Sequence, residues 1–161
     1  WKAETVKFEK DSLGRIPEEA KATLYITCVD NVQARFGVAE ILSEISNRRH
    51  QRDEPKYWLD FGNSQHTGQV LLSTIGNIPQ PNSDKYETVA SLPMITEEFG
   101  ELLKQSEQED DTPSCSLAEA LEKQDLFINS SLTQMGCSLL WSLFRYDMTP
   151  YRGFFTIALI P

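Results

Sequence analysis

The residues in this chain best suited to chemistry stand in the stretch TCVDNVQAR, where Asp30, Asn31 and Arg35 follow an apolar run. A carboxylate just past the end of a buried strand is a position from which a ligand can be held. In open α/β sheets, ligands bind beyond the carboxyl ends of the strands. There a carboxylate can hold Mg²⁺ beside a nucleotide phosphate, because Mg²⁺ takes a few carboxylates together with phosphate oxygens. Asn31 suits the N-cap of the helix that follows, as Asn is among the preferred capping residues. Asp30 has the same local reading, as a surface acid beside a helix N-terminus. Arg35 comes four residues after Asn31 and is expected to project from the first helical turn.

A second candidate is Cys115 in DDTPSCSLAEAL. Ser114 or Ser116 can cap a helix here, and Glu119 lies three residues beyond Ser116, as in a capping box. A thiol at a helix N-terminus has its thiolate stabilised and is the better nucleophile for it. The seven acids between Glu97 and Asp111, set against one lysine, oppose that effect. The plainer reading of Cys115 is a small buried hydrophobe. Cys28 lies inside an apolar strand and Cys137 inside an apolar helix, and both are expected in the core. His66 sits in a polar connection beside Gln65 and Thr67, with no identifiable partner, and is expected at the surface.

Several classes of function are disfavoured by what is missing. The net charge of −9 leaves no clustered lysine and arginine to grip a phosphate backbone, so a nucleic-acid partner is not expected. Three separated cysteines without a CxxC encode neither a zinc knuckle nor a redox pair, and a reduced, cytoplasmic setting fits them best. No apolar run reaches the roughly 20 residues of a membrane span. The eight glycines fall too far apart to make a phosphate-cradling loop.

The elements that must carry these residues follow from periodicity. At 161 residues one α/β domain is the default. ATLYITCV, a continuous apolar and β-branched run, reads as a strand buried on both faces, as in a parallel sheet. Val32, Phe36, Val38, Ala39, Ile41, Leu42 and Ile45 form an apolar stripe at helical spacing. Arg48, Arg49 and Arg52 follow at its basic end. YWLDF and QVLLSTI read as two strands joined through GNSQHTG, in a hairpin or wide antiparallel return. Residues 77–92 read as loop and ITEEFGELLKQ as a short helix. Residues 97–114 read as an acidic, solvated linker. A long helix is expected from about Ser116 to Arg145, and GFFTIALIP closes the chain as a strand. WKAETVKFEK is a candidate edge strand.

Taken in order, TCVDNVQAR, WLDFGNSQHTGQVLLS and TPSCSLAEAL resemble the second half of the ThiF/MoeB superfamily, the relatives of ubiquitin-activating enzymes. YWLDFGNSQHTGQVLLS and TPSCSLAEALEKQDLFINSSLTQMGCSLLWSLFR are most similar to the ThiF-like proteins of PRTRC systems, which are gene clusters on bacterial plasmids and other mobile elements. The resemblance spans most of residues 22–159. It implies the C-terminal half of a Rossmann-like adenylating domain, with a mixed sheet and a long C-terminal helix, in a protein that uses ATP and Mg²⁺. The implied reaction is adenylation of the C-terminal carboxylate of a ubiquitin-like or sulfur-carrier protein, with transfer to a cysteine in some members. By the same resemblance Asp30 would coordinate Mg²⁺, Asn31 and Arg35 would shape the nucleotide pocket, and Cys115 would be the conjugating thiol. Residues 97–114 would form the crossover loop over the partner's tail. Family members usually form homodimers, and the apolar C-terminal segment is a candidate for that contact. The family's Gly-rich turn, ribose-binding acid and phosphate-binding Arg and Lys precede the matched region. They are expected in an N-terminal half that this chain lacks, so the piece alone is expected to be inactive. The paired CxxC motifs of many members are absent, and no zinc is expected. The rival expectation is a non-catalytic interaction module of the same mobile-element system.

Overall fold

The computed structural model describes residues 3, 7–8, 22–47, 54–63, 67–109, 127–147 and 149–157. In chain order these form β1 (Leu24–Thr27), α1 (Val32–Asn47), β2 (Tyr57–Asn63), β3 (Thr67–Thr74), α2 (Ile95–Glu98), α3 (Gly100–Glu109), α4 (Ile128–Tyr146) and β4 (Gly153–Ile157). The strands make one mixed sheet in the order β1-β2-β3-β4. β1 and β2 are parallel, while β2–β3 and β3–β4 are antiparallel. The chain is thus α/β, and the expected β2–β3 hairpin is present.

Helices cover both faces of this sheet, because alternate strand residues are apolar on each side. On one face Trp58 packs with Val32, Val38, Ala39 and Leu42 of α1, together with Ile75, Met94, Ile95 and Leu103. On the other face Leu59, Val70 and Leu72 pack against Leu139 and Leu143 of α4. The α4 axis comes close to β2 at Gly136, where a Cβ would overlap the Phe61 ring. A small residue is needed at that contact.

Three expectations are revised. ATLYITCV is not buried on both faces: Ile26 is 53% exposed and Cys28 is exposed. β1 pairs with β2 and ends the sheet among the described residues, while α4 lies over β2, β3 and β4. Cys137 is exposed rather than in the core. It lies on the outward face of α4, with Trp141 and Phe144, whereas Ile128, Leu132, Gly136, Leu139 and Leu143 turn inward. The short helix expected in ITEEFGELLKQ is present as α2 and α3, but α3 runs on through Glu109 into the segment expected as linker; Leu103 is buried against the α1 layer and Glu101 pairs with Lys104 one turn on. The remainder of that segment, Arg48, Arg49, Arg52, and most of the proposed N-terminal edge strand lie outside the described residues.

Candidate functional site

Asp30 and Asn31 occupy the turn between β1 and α1, at the carboxyl end of a parallel strand pair. Asn31 is the N-cap of α1: its Oδ1 accepts from the Ala34 backbone N–H at 2.7 Å. Its Nδ2 donates to Asp30 Oδ1 at 3.0 Å. One amide side chain therefore closes the first turn of the helix and orients the carboxylate beside it. Asp30 and Asn31 are both exposed, so the carboxylate meets solvent at the strand end.

Arg35 goes the other way. It does not project from the helix; it is 6% exposed and folds under the turn toward β2. Its Nε donates to Asp60 Oδ2 at 2.9 Å. Its Nη2 donates to the Val29 carbonyl at 2.8 Å and the Phe61 carbonyl at 3.1 Å. A buried guanidinium needs such partners, because its charge is otherwise costly to remove from water. Arg35 thus supports the β1–α1 turn from beneath.

Asp60 is the residue that sequence reasoning missed. It is 1% exposed, in the middle of the apolar strand YWLDF. The parallel register sets Thr27 beside Asp60, and the Thr27 hydroxyl donates to Asp60 Oδ1 at 2.6 Å. Trp58 Nε1 donates in turn to Thr27 Oγ1 at 2.8 Å. Burial pushes the Asp60 carboxyl above its ordinary range, and the Arg35 charge and the hydrogen bonds from Thr27 and Arg35 bring it back only in part. An acid between apolar neighbours in a strand core was the available signal, since buried charge is retained where it has a partner. At the neighbouring strand end, Asn63 Nδ2 donates to Asn129 Oδ1 in the first turn of α4 at 2.6 Å.

Cys28 stands two residues before Asp30. Partial burial and the nearby Asp60 carboxylate push its thiol up, which keeps it protonated and a poor nucleophile. Cys115 and His66 lie outside the described residues, so the site assembled here consists of Asp30, Asn31, Arg35, Asp60 and Thr27.

The donor set has a chemical preference. Among the described residues no three His, Cys, Asp or Glu side chains gather to hold a metal by themselves. Asp30 offers a single exposed carboxylate. That suits Mg²⁺, which keeps several waters and takes one or two carboxylates plus substrate phosphate oxygens. The N-terminus of the 16-residue α1 opens at the same end, where a helix favours phosphate. A shallow depression lined by Glu54, Lys56 and Asn77 lies elsewhere and includes none of these groups. No protein-family model matches this chain, and no curated protein matches it.

Proposed function

We propose that this chain is the C-terminal part of a ThiF/MoeB-like, Rossmann-like adenylating domain. In the full-length protein it would help activate the C-terminal carboxylate of a ubiquitin-like or sulfur-carrier protein with ATP and Mg²⁺. The observation that carries the reading is Asp30, an exposed carboxylate at the carboxyl end of a parallel strand, oriented by the residue that caps the next helix. The mixed α/β sheet and the C-terminal helix agree with the expected half-domain. The order of TCVDNVQAR, GQVLLS and TPSCS along the chain adds to it.

In this reading Asp30 would hold Mg²⁺ alongside the phosphates, and the bound ion would supply charge neutralisation there. Asn31 keeps the carboxylate aimed, and Arg35 supports the turn from below. Cys115 is the proposed conjugating thiol. The nucleotide-binding glycine turn would come from a preceding segment. A homodimer would place the outward face of α4 in its interface.

A second reading has its own observation. Trp141, Phe144, Tyr146, Tyr151 and Phe155 are each more than 60% exposed. Exposed aromatics of this number favour an interaction surface, as a non-catalytic module of the same system would need. ATP–pyrophosphate exchange separates the two. The full-length protein should exchange only when the carrier has a free C-terminal carboxylate. Cys115→Ala should spare that exchange while removing a thiol-sensitive conjugate. A protein that exchanges nothing, yet retains the carrier, would be the interaction module.

A further inference from the structure

The geometry points to Asp60 as a positioning residue of the β1–α1 turn, which aims the Asp30 carboxylate through Arg35 and the Val29 carbonyl. The inference rests on the reading of Asp30 as a ligand of nucleotide-bound Mg²⁺, and it adds a residue and a pathway that the reading does not contain.

The Arg35 guanidinium is shared between a side chain and two carbonyls. Its Nε is fixed on Asp60 Oδ2, and its Nη2 then reaches Val29 O at 2.8 Å and Phe61 O at 3.1 Å. Val29 immediately precedes Asp30, so the carbonyl that Arg35 holds belongs to the peptide unit leading into the carboxylate. Asp60 does not swing freely either, because its other oxygen is held by Thr27 at 2.6 Å, and Thr27 is held by Trp58. The chain of contacts runs from the Trp58 indole in the core to the end of β1. On the solvent side Asn31 completes the arrangement by donating to Asp30 directly. The turn is therefore fixed from below through its backbone and from beside through its carboxylate.

Gly62 supplies a second, independent handle. A Cβ built there falls 2.7 Å from Arg35 Nη2 and 3.1 Å from Gln69 Nε2. The guanidinium occupies the space a side chain at Gly62 would need, and a methyl group would displace it without altering any charge or hydrogen-bonding group. Partners that orient a metal ligand typically matter about 10–100-fold in metal affinity.

The test uses the full-length protein with Mn²⁺ as a paramagnetic probe in place of Mg²⁺, and an ATP analogue with a methylene bridge between the α- and β-phosphates. Bound Mn²⁺ is read by electron paramagnetic resonance. Far-UV circular dichroism and a thermal melt show that each variant folds. Asp60→Asn and Gly62→Ala should each weaken Mn²⁺ binding in the ternary complex about tenfold or more. If either variant does not fold, the other decides. A group that only stabilises the fold would lower the melting temperature and leave Mn²⁺ affinity at the wild-type value, and that result overturns the positioning role. Asp30→Ala is the control for the underlying reading. If it binds Mn²⁺ like wild type, or wild type binds none, Asp30 is not the ligand and the inference falls with it. Loss in Asp30→Ala with wild-type binding in both other variants removes the inference alone.

Discussion

At the scale of single residues, the Asp60–Arg35 pair carries the largest energetic stake. Removing one partner of a buried ion pair leaves the other charged and desolvated, at a cost of about 3–5 kcal/mol. Arg35→Ala should lower unfolding stability by that amount in a urea titration, and a loss below about 1 kcal/mol, the range of exposed pairs, would show that the pair is not desolvated. The pH dependence has a definite sign. With its pKa raised in the folded state, Asp60 holds a proton more tightly folded than unfolded. Its contribution is fully present below the unfolded value, near 3.8, and is lost as pH rises through the folded-state value. Acidification from neutral pH toward the carboxylate range should therefore shift the stability difference between wild type and Asp60→Asn in favour of wild type. A shift toward the variant would mean that Arg35, not burial, dominates the Asp60 titration. Asn31 was legible as a cap because capping is local: the acceptor and the N–H it satisfies lie within three residues. The inward turn of Arg35 was not, since its carboxylate partner is 25 residues away in another strand.

At the scale of elements, continuous and alternating patterns carried unequal information. The stripe from Val32 to Ile45 gave α1 at its observed start because Asn31 marked the boundary. The run ATLYITCV suggested burial on both faces, yet burial depends on what lies over a strand, and α4 lies over β2–β4. α4 itself is apolar on two sides, so its sequence could not separate the face that meets the sheet from the face bearing Cys137, Trp141 and Phe144. Gly136 marks the difference. Gly136→Ala should push α4 off β2 at Phe61 and cost about 1–3 kcal/mol by overpacking. Combined with Phe61→Leu, the substitution should cost much less than the sum of the two alone. Additive losses in denaturant unfolding would contradict the close contact. Between Glu97 and Asp111 two patterns overlap: ITEEFGELLKQ was legible as a helix and Leu103 anchors it, while the acids that suggested a solvated linker hid the continuation of α3 to Glu109.

At the scale of the whole molecule, the sheet presents Asp30 beside a helix N-terminus, and no described residue group could hold a metal alone. On the proposed reading such a carboxylate would be used once a nucleotide brought phosphate oxygens to it, and the glycine turn that would cradle those phosphates is not in this sequence. In the proposed larger protein the β1–α1 turn would be one wall of the site. The proposal draws on the order of three short segments, because no one of them specifies a nucleotide site. The most direct measurement is ATP–pyrophosphate exchange by the full-length protein with its carrier, comparing wild type with Asp30→Ala. Exchange should be lost in the variant while the fold is kept. Exchange at the wild-type rate would contradict the role given to Asp30 and, with it, the adenylation reading of this crevice.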